Sequence, residues 1–135
     1  MSAKGDQLAE IALSFQGTRF WPNGREPGRG LDCAGLVICS LWAMSIECPN
    51  PDYHLGAFHD HFDLMRGCLA DVFEQAEPPL EVGDVLAMRL PRIPNHMAVY
   101  IGSDQVVHAV TGRDVRTTVI DHSLNSRIES VWRLK

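Results

Sequence analysis

The hydrophobic period of this chain changes once, at Pro78-Pro79, and that change limits the folds it can adopt. Upstream, Leu8, Ile11, Ala12 and Phe15 recur at helical spacing, which predicts an amphipathic helix over residues 4–16 ended by Gly17. A Gly- and Pro-rich stretch, GTRFWPNGREPGRGL (17–31), then reads as a long loop. Asp32 can cap a second helix running to about Ser45, apolar nearly all round and therefore buried. A third helix is expected over about 60–75, carrying Phe62, Met65, Leu69 and Phe73. Downstream, DVLAMRL, HMAVYIG, QVVHAV, VRTTVID and IESVWRLK are short strand-like runs joined by tight turns. Three helices followed by about five strands predict a single α+β domain over 1–135, with the helices packed on a C-terminal antiparallel sheet.

Composition removes several function classes. Of 135 residues, 45% are hydrophobic, enough for a real core. The net charge of −5, with both signs interspersed, is the wrong sign for a nucleic-acid partner. No apolar run reaches the roughly 18 residues that a membrane helix needs. The opening MSAKGDQLAEIALSF holds acids and no long apolar stretch, so no signal peptide is expected and synthesis in the cytoplasm is. Cys33, Cys39, Cys48 and Cys68 contain no CxxC pair, which argues against a zinc ribbon. Cys39 and Cys68 read as buried thiols in helical patterns, while Cys48 precedes Pro49 and has no evident role.

Cys33 is different, because it stands at a helix start beside Asp32. A helix N-terminus carries about half a positive charge and favours thiolate. His96 and His108 lie twelve residues apart on consecutive strands. If Gly102-Ser103-Asp104 is a three-residue loop, Ile101 pairs with Gln105 and His108 falls opposite Ala98. His96 then shares its face, with the two histidines diagonal neighbours at about 7–8 Å. A two-residue turn would put them on opposite faces. Each histidine alone can equally be a satisfied strand residue. Together with Cys33 they have the parts of a thiol site: nucleophile, base and orienting group. On that reading Cys33 should be alkylated far faster than the other cysteines near neutral pH.

DCAGLV, GDVLAM, HMAVYIG and VVHA, in that order, resemble the NlpC-type cell-wall cysteine peptidases. GTRFWPNG resembles that family's approach loop, and the likeness runs from about residue 8 to the C-terminus. The resemblance implies a papain-like fold, with Cys33 as nucleophile, His96 as general base and His108 as orienting residue. It implies amide hydrolysis in a peptidoglycan stem peptide, typically between D-glutamate and a diamino acid, without a metal or cofactor. The N–H of Cys33 would serve the oxyanion. The short form is similar to members encoded among phage-tail and gene-transfer-agent genes, which implies such proteins as partners and delivery to the wall by a particle. An alternative is an assembly protein of such a tail with the same fold and little catalysis. The related permuted acyltransferases place histidine before cysteine, the reverse of the order here.

Two positions depart from the family pattern. Its approach-loop tyrosine is Phe20 here, and the serine after its cysteine is Ala34. In recycling-type members those groups and the aspartate hold the free amino end of the stem peptide, and only Asp32 remains. The resemblance thus assigns Asp32, Phe20, Trp21 and Ala34 to the substrate side and points to a glycan-attached or cross-linked substrate. His54, His59 and His61, with Asp60 and Asp63, read as cleft rim rather than a metal site. Trp42 and Trp132 are expected in the core, His122 in a surface loop, and Arg89, Arg92, Arg113 and Arg116 on a solvated rim.

Overall fold

The computed structural model describes residues 2–50, 69–91 and 93–135. Helix α1 (Ala3–Ser14) starts at Ser2, whose hydroxyl accepts from the Gly5 N–H, and buries Leu8, Ala9 and Ala12. The approach loop holds a two-stranded ribbon, β1 (Arg25–Glu26) and β2 (Gly30–Leu31). Helix α2 (Cys33–Ala43) is buried at every residue from Cys33 to Leu41, as its all-round apolarity requires. Trp42, expected in the core, is instead 40% exposed at the last turn, where the helix leaves the domain interior. Trp132 is buried as expected.

The sheet has six strands rather than five: β3 (Phe73–Ala76), β4 (Val85–Leu90), β5 (Ile93–Gly102), β6 (Gln105–Ala109), β7 (Val115–Val119) and β8 (Ile128–Leu134). Their order is β3-β8-β4-β5-β6-β7, and every pairing is antiparallel. The additional strand is β3. The third helix was expected to reach residue 75, but Phe73–Ala76 pairs with Val131–Leu134 of β8. Residues 69–72 are bend and turn rather than helix, while 60–68 of that predicted helix, with the His54, His59 and His61 cluster, Cys68 and Arg92, lie outside the described residues. One turn of helix, α3 (His122–Asn125), capped by Asp121, stands where His122 was expected in a loop.

Strand alternation gives the sheet two apolar faces. Val85, Ala87, Met97, Val99, Val107 and Ala109 pack with Leu8, Ala12, Leu36, Val37 and Leu41 of the helices. Leu86, Met88, Ala98, Val106 and Val131 form a second cluster, closed by Tyr100, Ile120, Leu124 and Ile128. Fully buried Asp84, at the entry to β4, receives Arg133 of β8 at 2.8 Å on both oxygens and so ties the two strands together.

Candidate functional site

The β5–β6 hairpin decides whether His96 and His108 can meet. Its tip is the two-residue turn Ser103-Asp104, both at positive φ, closed by Gly102↔Gln105 and not by the expected Ile101↔Gln105. A two-residue turn alone would separate the histidines. A register shift between Tyr100 and Gly102, with Gly102 at φ +91°, restores the expected alignment, giving Tyr100↔Val106 and Val99↔Val107. The expected face-sharing therefore holds, through a bulge instead of a longer loop. His96 Nε2 lies 2.8 Å from His108 Nδ1, with the rings nearly edge-on and 5.0 Å between centroids. Both residues are buried, at 3% and 5% exposure.

Cys33 sits against β5 at a gap in the ladder. The Tyr100 N–H donates to Asp84 on the β4 side, so by alternation the N–H groups of Val99 and Met97 face β6. The β5–β6 pairing ends at Val99↔Val107. Beyond it, the Met97 N–H is donated to the Cys33 sulfur, with a second bond from the Ala34 N–H. The first residue of α2 is thus seated at the β5 backbone, one position from His96.

The thiol does not have the electrostatics expected of a helix N-terminus. Burial first, and then the neighbouring Asp32 charge, push the Cys33 pKa up to about 12. The two backbone N–H groups and Arg25 oppose this without overcoming it. Against the expected ready thiolate, this burial favours the neutral thiol. Rapid alkylation is not favoured either, because the residue is 3% exposed. Buried Cys39, pushed up to about 11 mainly by burial, directs its thiol at the Arg25 carbonyl, 3.2 Å away.

His108 is held neutral, its pKa driven down to about 4 by burial and then by the Arg116 charge. Its second ring nitrogen, Nε2, lies 2.8 Å from Thr118 Oγ1 on β7. The sequence reading missed Thr118. It pairs with Val106, and His108 with Arg116, so Thr118 is the diagonal neighbour of His108 on the same face. Only the β6–β7 register reveals this.

Asp32 is fully buried and its oxygens are engaged. Oδ1 accepts from the Gly35 N–H at 2.7 Å and from Arg25 at 3.1 Å, and Oδ2 accepts from the Asn23 N–H at 2.9 Å. It caps α2 and moors the approach loop. Gly35 makes this seating possible, since a Cβ there would lie 2.0 Å from the Gly24 carbonyl oxygen. Ala34 is also fully buried, so neither it nor Asp32 offers surface to a ligand. Phe20 is half-buried against the core. Trp21 is 60% exposed and walls a cleft of about 460 Å³ shared with Asn23, Arg25, Glu26 and Arg29. Arg89 and Arg113 are exposed, as expected of a rim, and Arg116 is half-exposed with an ion pair to Asp114.

The NlpC/P60 family model matches residues 14–132. A probable endopeptidase NlpC homologue of Haemophilus influenzae is 29% identical over 128 residues, covering 91% of this chain and 59% of that protein. The chain thus spans about three fifths of this curated relative. Among solved structures, the NlpC/p60 domain of the peptidoglycan hydrolase SagA superposes with a TM-score of 0.68 at 18% identity, covering 96% of this chain and 98% of that one. An NlpC/P60 family protein from Bacillus cereus gives 0.70 at 18% identity, covering 96% and 40%. NlpC1 from Trichomonas vaginalis gives 0.68 at 17% identity, covering 98% and 46%. These superpositions share the helices-on-sheet fold, the family match takes in the whole Cys33–His96–His108 region, and the chain belongs to the NlpC/P60 family.

Proposed function

We propose that this chain is a peptidoglycan endopeptidase that cuts a stem-peptide amide through Cys33. The reading rests chiefly on the buried His96–His108 pair, placed one residue along β5 from the donor that binds the Cys33 sulfur. Family membership and the named function of the SagA relative support it.

In this reading the resting thiol gives its proton to Nδ1 of His96 as sulfur attacks the carbonyl carbon. The carbonyl π pair moves to oxygen, which takes a hydrogen bond from the N–H of Cys33 at the start of α2. The tetrahedral species collapses, the C–N bond breaks, and His96 returns the proton to the leaving amine. Water, deprotonated by His96, then attacks the thioester, and the departing sulfur recovers its proton. His108 orients His96 through Nε2 throughout. The substrate bond is that between D-glutamate and the diamino acid. With Asp32 and Ala34 buried and Phe20 lacking a hydroxyl, the substrate is a stem peptide still attached to glycan or cross-linked, received along the Trp21 cleft.

Purified peptidoglycan digested with wild type and with Cys33→Ala, followed by mass spectrometry of the soluble fragments, tests this. Release by wild type alone is expected, and the fragment masses identify the bond. Release by both would remove Cys33 as nucleophile. Release by neither, from folded protein on several wall types, would favour the phage-tail or gene-transfer-agent assembly role instead.

A further inference from the structure

We infer that Thr118 is a positioning residue that fixes the tautomer of His108 and, through it, the basic nitrogen of His96. The inference rests on the proposed thiol chemistry, but its central test does not. Three residues on successive strands form one row: His96 on β5, His108 on β6 and Thr118 on β7. Both links are 2.8 Å, and the middle member has both ring nitrogens engaged.

The direction of the row follows from proton counting. For His96 to accept the thiol proton at Nδ1, that nitrogen must carry its lone pair. The ring proton of neutral His96 is then on Nε2. Nε2–H donates to His108 Nδ1, which must present a lone pair. His108 is neutral, so its own proton sits on Nε2, and there it meets Thr118 Oγ1. Thr118 must therefore accept. Reversed, the hydroxyl would donate to His108 Nε2, His108 Nδ1–H to His96 Nε2, and His96 would turn N–H toward the thiol, leaving no base. Among the described residues, the charged and titratable groups shown against His108 are His96 on β5 and Arg116 on β7, the latter ion-paired with Asp114. None of them supplies an acceptor to His108 Nε2.

Long-range ¹H–¹⁵N NMR of histidine-labelled protein reads the tautomer directly. Wild type should show His108 protonated at Nε2 and not at Nδ1. Thr118→Val, of nearly the same shape, should give a mixed or reversed tautomer. It should also lower kcat on wall substrate by about tenfold, the worth of one hydrogen bond, with KM little changed. Thr118→Ser should restore both. A wild-type proton on Nδ1, or a Thr118→Val protein with unchanged tautomer and kcat, would overturn the inference. The NMR arm needs no turnover, so it stands or falls separately from the Cys33→Ala result.

Discussion

Replacing Asp32 should move stability and thiol chemistry in opposite directions. Its carboxylate caps α2 at Gly35 and faces Arg25, which is 14% exposed and also bonds the Gly24 carbonyl and Asn50. Losing a helix cap costs about 1 kcal/mol. Breaking a buried pair costs about 3–5 kcal/mol, toward the low end here because Arg25 keeps two other partners. Asp32→Ala should therefore lose about 4 kcal/mol, a large share of the roughly 5–15 kcal/mol typical of a domain. Asp32→Asn keeps a capping oxygen and loses mainly the charge, so about 2 kcal/mol is expected. Urea unfolding at pH 7 measures both. An Arg25→Met, Asp32→Asn double mutant should fall short of the sum of the single losses. The Asp32 charge also raises the Cys33 pKa, so Asp32→Asn should ionise the thiol at lower pH. Thiolate absorbance, titrated with Cys39, Cys48 and Cys68 replaced by alanine, reports that midpoint. An unchanged or higher midpoint in Asp32→Asn, or wild-type stability in Asp32→Ala, would refute the reasoning.

His108 is neutral in the fold, with its pKa lowered to about 4, while the unfolded residue binds a proton near 6.5. Its contribution is complete above about pH 6.5 and is lost as pH falls toward 4, amounting to roughly 3 kcal/mol. Denaturant midpoints between pH 7 and 4 should fall, with a shallower fall in His108→Gln; equal slopes would exclude His108 as the source. Gly35→Ala sets two effects against each other. Helix propensity favours alanine by about 1 kcal/mol. The 2.0 Å approach to the Gly24 oxygen demands a loop shift costing at least the roughly 1–3 kcal/mol of an overpacked site. The urea midpoint should drop, and a rise would mean that the approach loop does not sit against α2.

The period change was enough to place α1, α2 and the five long strands, because their faces are buried on a single pattern. It failed at Phe73, four residues after Leu69 and thus in phase with a helix, since β3 is made by its partner β8, sixty residues away in the chain. Trp42 was misplaced for a related reason: a helix apolar all round carries no mark of where it leaves the interior. The His96–His108 alignment was legible as arithmetic, but the Gly102 bulge that delivers it was not. Thr118 was invisible because a threonine in a strand is ordinary, and only the neighbouring register gives it a partner. The burial that raises the Cys33 pKa was not legible, because a helix terminus is a local feature whereas burial is set by the packing around it.

That burial makes the rest of the site consistent. Separating Cys33 and His96 into thiolate and imidazolium inside the fold would incur the desolvation cost of two ions before any substrate arrived. His108, in the middle of the row, is held neutral instead. The row ends at a hydroxyl, where a carboxylate would draw His108 toward the charged form and remove the lone pair that His96 needs. Arg116, beside His108, opposes a second positive charge for the same reason, and its pairing with Asp114 holds it there. In the proposed mechanism, charge then develops only as the carbonyl is attacked, when the N-terminal dipole of α2 and its N–H groups meet an oxyanion rather than a standing thiolate. On this account the helix start that suggested an activated cysteine serves the transition state and not the resting nucleophile.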